Sequence, residues 1–114
     1  MKNLAKLATA AYLAAPSGGT IYKGDTPHSG FIVGDGYQGA VCDEGTANID
    51  ETFAIVALNA TADNFDGIGW WAHAGQLFID PVSVFATESE ARSIAKRNGE
   101  IAFWDIASQS EITT

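Results

Sequence analysis

The chain has 114 residues, 46% hydrophobic and 18% charged, a balance that excludes a disordered tail and fits one globular domain over 1–114. Fourteen acidic against six basic residues give a formal net charge of −8, which excludes direct binding to nucleic acid or to an anionic membrane surface. The single cysteine, Cys42, excludes an internal disulfide and suits a reducing cytoplasm, and no run approaches the roughly 18 apolar residues of a membrane span.

Residues 1–15 (MKNLAKLATAAYLAA) are rich in Ala and Leu and predict a helix, with Leu4, Leu7, Ala8 and Ala11 on one face. The same stretch also has the two lysines and small residues of a weak secretory leader. Pro16-Ser17-Gly18-Gly19 ends the helix, and Thr20–Lys23 reads as a short strand. Phe31–Val33 and Ala40–Cys42 are apolar runs of strand length. The glycine-rich connection Gly34–Gly39 predicts that they form a hairpin. That connection lacks the following helix and the lysine of a phosphate-binding loop, so it reads as a turn.

Asp50 predicts a helix N-cap, with Glu51 in the first turn. Phe53, Val56, Ala57 and Ala60 then share one helical face, and Ile55 and Leu58 on the other side predict burial around much of the circumference; the short run FAIVAL over 53–58 also fits a buried strand, which periodicity does not separate from a helix. Asp63-Asn64-Phe65-Asp66-Gly67 reads as helix exit and turn, because it lacks the spaced oxygen ligands and closing glutamate of a calcium loop.

The stretch 67–106 predicts a ββαβ-like module. Strands cover Ile68–Ala72 and Gln76–Ile79, and Asp80-Pro81 is expected to end the second, since proline has no amide donor. Val82–Phe85 alternates as a further extended piece. Thr87-Glu88-Ser89-Glu90 is a capping box, Ala91, Ile94 and Ala95 form a buried stripe, and Asn98-Gly99 is a left-handed C-cap. Ile101–Ile106 reads as the last strand. The whole predicts an α+β fold, an antiparallel sheet of four to six strands with two or three helices packed on it.

No catalytic, cofactor or metal motif stands out. Cys42 has no basic partner nearby in sequence, and His28 and His73 do not make a zinc site by themselves. Charge placement is more informative. Between Gly24 and Ala91 there is no Lys or Arg, while eleven carboxylates fall there, Asp35, Asp43, Glu44, Asp50, Glu51, Asp63 and Asp66 among them. Trp70 and Trp71 must point to opposite faces of a strand, so both are buried only if both faces are covered. Tyr37 and Trp104 are further candidates for an aromatic contact surface.

SGFIVG around Phe31, GWW with LFIDPV, ESEAR and NGEIAFWDI together resemble small accessory proteins of bacteriophages and other mobile elements, over Ser29–Ile112. These motifs are structural and transfer no catalytic residue. The resemblance implies a host-directed, anti-defence role in the bacterial cytoplasm, of the kind played by inhibitors of CRISPR surveillance complexes. With the charge pattern it leads to a non-enzymatic inhibitor, monomer or homodimer, that binds a basic surface of a host protein through Asp35, Tyr37, Asp43, Glu44, Asp50, Glu51, Asp63, Asp66, Trp70 and Trp71. A structural or accessory protein acting by self-assembly is the alternative.

Overall fold

The strand Gln76–Phe85 (β5) is the axis of the fold. A computed structural model describes residues 3–114; residues 1 and 2, the start of the expected N-terminal helix, lie outside the described residues. In chain order the elements are α1 (Leu4–Ala14), β1 (Gly18–Tyr22), β2 (Phe31–Gly34), β3 (Ala40–Asp43), α2 (Ile49–Ala62), β4 (Gly67–His73), β5, α3 (Glu88–Arg97), β6 (Ala102–Asp105) and β7 (Ser110–Thr113). The α+β class and the antiparallel sheet are as expected. The sheet has seven strands in the order β1-β4-β5-β2-β6-β7, with β3 also on β5.

Two sequence expectations fail on β5, for one reason. One flank of β5 pairs along most of its length with β4, while its other flank is shared: β3 pairs with 76–79 and β2 with 82–85. Pro81 falls in the gap between the two partners, where no ladder donor is required, and its carbonyl accepts the Asp35 amide at 3.0 Å. The strand therefore runs through Asp80-Pro81 instead of ending there. For the same reason β2 and β3 are not a hairpin; the loop between them spans from one β5 partner to the next.

All three helices lie on one face. Leu77 and Ile79 of β5 and Ile68 and Trp70 of β4 meet Leu4, Ala8 and Tyr12 of α1 and Phe53, Val56, Ala57 and Ala60 of α2. Val33 and Phe103 meet Ala91 and Ala95 of α3. Trp70 fixes α1 to the sheet. Its indole N–H donates to the Ala15 carbonyl at 2.9 Å, and its ring lies where a side chain on Gly19 would stand. Within the expected helix 1–15, residues 4–14 are helical and contribute Leu4, Ala8 and Tyr12 to the core. The stripe is rotated from the expected one: Tyr12 is buried and Leu7 is exposed.

In α2 the N-cap is Asn48, without a side-chain cap bond, and Asp50 joins Glu51 in the first turn. Burial of Ile55 and Leu58 is overturned. Both are exposed, Leu58 at 71%, because nothing covers the outer side of the helix layer. The α3 signals hold. The Thr87 hydroxyl oxygen accepts the Glu90 amide at 3.3 Å, though Glu90 reciprocates by accepting the Thr87 hydroxyl, not a backbone donor. Gly99 (φ +72°) closes the helix, with Glu100 N–H donating to Ala95 O and Gly99 N–H to Lys96 O. β6 is shorter than expected at both ends, and β7 has no counterpart in the sequence reading. Its preceding turn is held by Asp105, which accepts the Ala107 amide at 3.1 Å and the Ser108 hydroxyl at 2.9 Å.

Candidate functional site

The opposite face of the sheet carries no helix. Strand registers set its side chains in cross-strand rows. Val41, Phe78, Trp71 and Gly18 form one row; Asp80, Gly69 and Thr20 the next; Gly34, Val82, Gly67 and Tyr22 the third; Val84, Ile32, Trp104 and Glu111 the fourth. The face is concave. Ile32 and Val82 are buried although no helix covers them, and residues of the outer strands β1 and β7 line the same groove as those of the central strands. The groove has a volume of about 720 Å³. Phe78, Asp80 and Glu100 also line a smaller hollow of about 310 Å³ beside Tyr37 and Gly99, so the two are continuous.

Glycines shape the floor. Gly69 leaves the Asp80 row without a side chain, and a Cβ there would come within 3.0 Å of Val82. The Asp80 carboxyl is wedged between Gly34 and Gly39; a Cβ on Gly34 would stand 3.2 Å from it, and one on Gly39 would collide with it and with the Ile79 carbonyl. The loop that carries Gly39 is tied to the turn after α3: Glu100 accepts the Gly36 amide at 2.9 Å, and the Asn98 side-chain amide donates to Gly34 O at 3.1 Å. Asp35 accepts the Tyr37 amide at 3.0 Å within the loop.

This arrangement gathers three carboxylates where solvent is scarce. Burial, then the charges of Glu100 and Asp35, push the Asp80 carboxyl up to about 7. Glu100 is also raised, by burial and by Asp35, against the lowering effect of the Gly36 hydrogen bond. Burial pushes the Tyr22 phenol up as well, partly offset by its bond with Thr20. No described Lys or Arg neutralises the group. The one ion pair among the described residues is Arg92–Glu88 at 3.3 Å, on the helix side. Arg92 further donates to the Thr113 and Thr114 carbonyls and lies over the Phe103 ring, and Lys23 donates to Ala60 O. Beside the carboxylates stands an aromatic row: Trp71 stacks on His73 at 4.8 Å between centroids and tilts against Phe78 at 5.8 Å.

The residues read from sequence are divided by the fold. Tyr37 stands in the hollow at the end of the groove and Trp71, 44% exposed, on the groove wall; Asp35 does not line either, but accepts the Tyr37 amide and acts on Asp80 and Glu100 through its charge. Trp70, 5% exposed, is core and offers no contact surface. Asp43 and Glu44 lie at the far end of β3, Asp50 and Glu51 on the first turn of α2, and Asp63 at its C-cap, and none of them lines the groove. Asp66 is engaged in structure, accepting the Val84 amide at 2.7 Å. Of the centre of the site, the sequence reading gives Asp80 only as a strand end and assigns Glu100 no role. The signal was there: in LFID a carboxylate follows Phe78 by two and so shares its face.

Cys42 packs against the α1–α2 core cluster, on the other face from His73, and no three His, Cys, Asp or Glu side chains of the described residues form a metal-holding group. No helix among them is long and apolar enough to cross a membrane. No family model, no curated protein and no solved structure matches the chain.

Proposed function

We propose that this protein is a non-catalytic acidic inhibitor that binds a basic surface of a host protein and blocks it. In the setting implied by the sequence resemblance, the partner is a nucleic-acid-binding defence complex in the bacterial cytoplasm, and carboxylates take the place of phosphates. The observation that supports the reading best is the helix-free groove, where Asp80 and Glu100, with Asp35 close behind them, meet an aromatic wall and no cation among the described residues. Rigid aromatic rings supply contact area at small entropic cost, and unneutralised carboxylates select a basic partner and speed its approach. The absence of Lys and Arg from Gly24 to Ala91 extends that field beyond the groove. The cations of α3 (Arg92, Lys96, Arg97) orient the partner away from that helix's C-terminal half.

The test is capture from a bacterial host lysate on the native protein and on a variant that carries Asp35→Asn, Asp80→Asn and Glu100→Gln at the groove and is reversed at Asp43, Glu44, Asp50 and Glu51. Proteins retained by the native form alone should bind nucleic acid, and the native protein should displace that nucleic acid. Equal retention by both forms, or a partner that keeps its nucleic acid, sinks the reading.

A second reading, self-assembly, is favoured by a different observation: Leu7, Leu13, Ile55 and Leu58 are exposed on the helix layer. It predicts a concentration-dependent dimer in sedimentation that Ile55→Lys with Leu58→Lys abolishes. A native monomer at all concentrations removes it.

A further inference from the structure

The groove's centre and its rim differ in character. Its walls are apolar and aromatic: Trp71 and Phe78 on one side of Asp80, Ile32 and Trp104 on the other. Its centre is a depression left without a side chain by Gly69, lined by the Asp80 carboxyl, which packs against Gly34 and Gly39. Asp80 accepts no hydrogen bond from any described residue. One oxygen of Glu100 is taken by the Gly36 amide and one of Asp35 by the Tyr37 amide, so each keeps acceptor capacity.

We propose that this depression receives the guanidinium group of an arginine on the basic partner, seated between the Asp80 and Glu100 carboxylates with its planar face on the aromatic wall. The proposal rests on the acidic-inhibitor reading and names the side chain that the groove selects.

Charge complementarity calls for a cation, and the walls decide which one. A guanidinium is planar and weakly hydrated, stacks on aromatic rings, and carries five donors for carboxylates on more than one side. A lysine ammonium is compact and strongly hydrated, loses more on entering an apolar groove, and gains less from a stacked face. The depression is recessed, so a long side chain is needed to reach it. The described cations do not serve: Arg92 and Lys23 are engaged elsewhere, and none of Lys6, Lys96 and Arg97 pairs with these carboxylates.

The experiment uses the full chain and titrates it with a blocked peptide, Leu-Gly-Arg-Gly-Leu, and with its lysine and citrulline counterparts, following heat and tryptophan fluorescence. The arginine peptide should bind about tenfold or more tighter than the citrulline peptide, which keeps the shape and loses the charge, and several-fold tighter than the lysine peptide. Asp80→Asn, close to isosteric, should weaken the arginine peptide about tenfold, and Trp71→Leu should reduce the preference over lysine. Equal binding of all three peptides, or an Asp80→Asn protein that binds as the native does, overturns the proposal. The broader reading is tested separately with the captured host partner. If Asp80→Asn with Glu100→Gln leaves partner binding intact while reversal at Asp43, Glu44, Asp50 and Glu51 removes it, the arginine subsite fails and the acidic inhibitor stands. If neither set affects the partner, both fail.

Discussion

The Glu100 carboxylate accepts the Gly36 amide at 2.9 Å, joining the turn after α3 to the loop after β2 across 64 residues of sequence. Because Glu100, after burial itself, also raises Asp80 through its charge, one side chain both positions the loop and adds to the proton affinity of the groove floor. Glu100→Gln separates the two roles, since the amide oxygen still accepts from Gly36 while the charge is gone. We expect the Asp80 carboxyl to titrate below about 7 in this variant yet above an ordinary aspartate, because burial, the larger cause, remains. Carboxyl chemical shifts followed against pH check this. An unchanged Asp80 midpoint would mean that the two groups are not electrostatically coupled.

The same proton affinity makes stability depend on pH. An unfolded aspartate titrates near 3.9, whereas Asp80 in the folded chain titrates at about 7. The folded chain holds this proton more tightly, so the group's contribution is full below about pH 4, declines as pH rises to about 7 and is level above it. Ionised Asp80 therefore costs about 2–4 kcal/mol above neutrality, and Asp80→Asn should be more stable than the native chain at about pH 8 by an amount of that order. Below about pH 4 the advantage should vanish. Urea unfolding at a series of pH values measures it, and parallel curves for the two proteins would refute the assignment.

What the sequence disclosed follows the range of the forces involved. Capping at Thr87, the Gly99 C-cap and the alternation of Trp70 against Trp71 are set by neighbours within a few residues, and all three were legible. The α+β class followed from the same local patterns. The hairpin between β2 and β3 failed because pairing is not local: each finds half of β5 instead. Pro81 misled because its missing donor matters only where a partner stands opposite. The exposure of Ile55 and Leu58 was illegible since helical periodicity shows which residues share a side, not whether anything covers it. For the site, the charge pattern pointed to a carboxylate surface, but the Asp80–Glu100 pairing depends on a tertiary loop contact that no spacing encodes. β7 was missed because SEIT carries one apolar residue, Ile112, whose burial depends on α3 packing.

Two glycines should separate steric crowding from backbone conformation. At Gly45 (φ +77°) an added Cβ meets nothing, so Gly45→Ala carries only the left-handed penalty of about 1–2 kcal/mol. At Gly39 the φ angle is unexceptional, but the Cβ would collide with the Asp80 carboxyl and the Ile79 carbonyl. Gly39→Ala should destabilise by about 1–3 kcal/mol through overpacking. Adding Asp80→Ala should recover part of that loss and leave Gly45→Ala unrelieved. Thermal unfolding of the single and double variants tests the distinction; strict additivity of Gly39→Ala and Asp80→Ala would show that the two side chains do not compete for space.

Adjacent tryptophans on opposite faces of β4 make the sharpest comparison between fold and function. Trp70 packs on Phe53 at 6.0 Å between ring centroids and donates to Ala15 O, so Trp70→Ala opens a large void and removes that hydrogen bond. It should cost about 3–5 kcal/mol and loosen α1 from the sheet. Trp71 touches His73 and Phe78 on the open face, and Trp71→Ala should change stability by about 1 kcal/mol or less. Its effect belongs in binding, where the groove loses the ring on which a planar cation stacks. Denaturant unfolding and partner titration on both variants give the check. Trp71→Ala that unfolds the chain, or that binds the partner as the native does, would take the open face of β4 out of the function, and with it the asymmetry between two neighbouring residues that differ only in which side of the sheet they face.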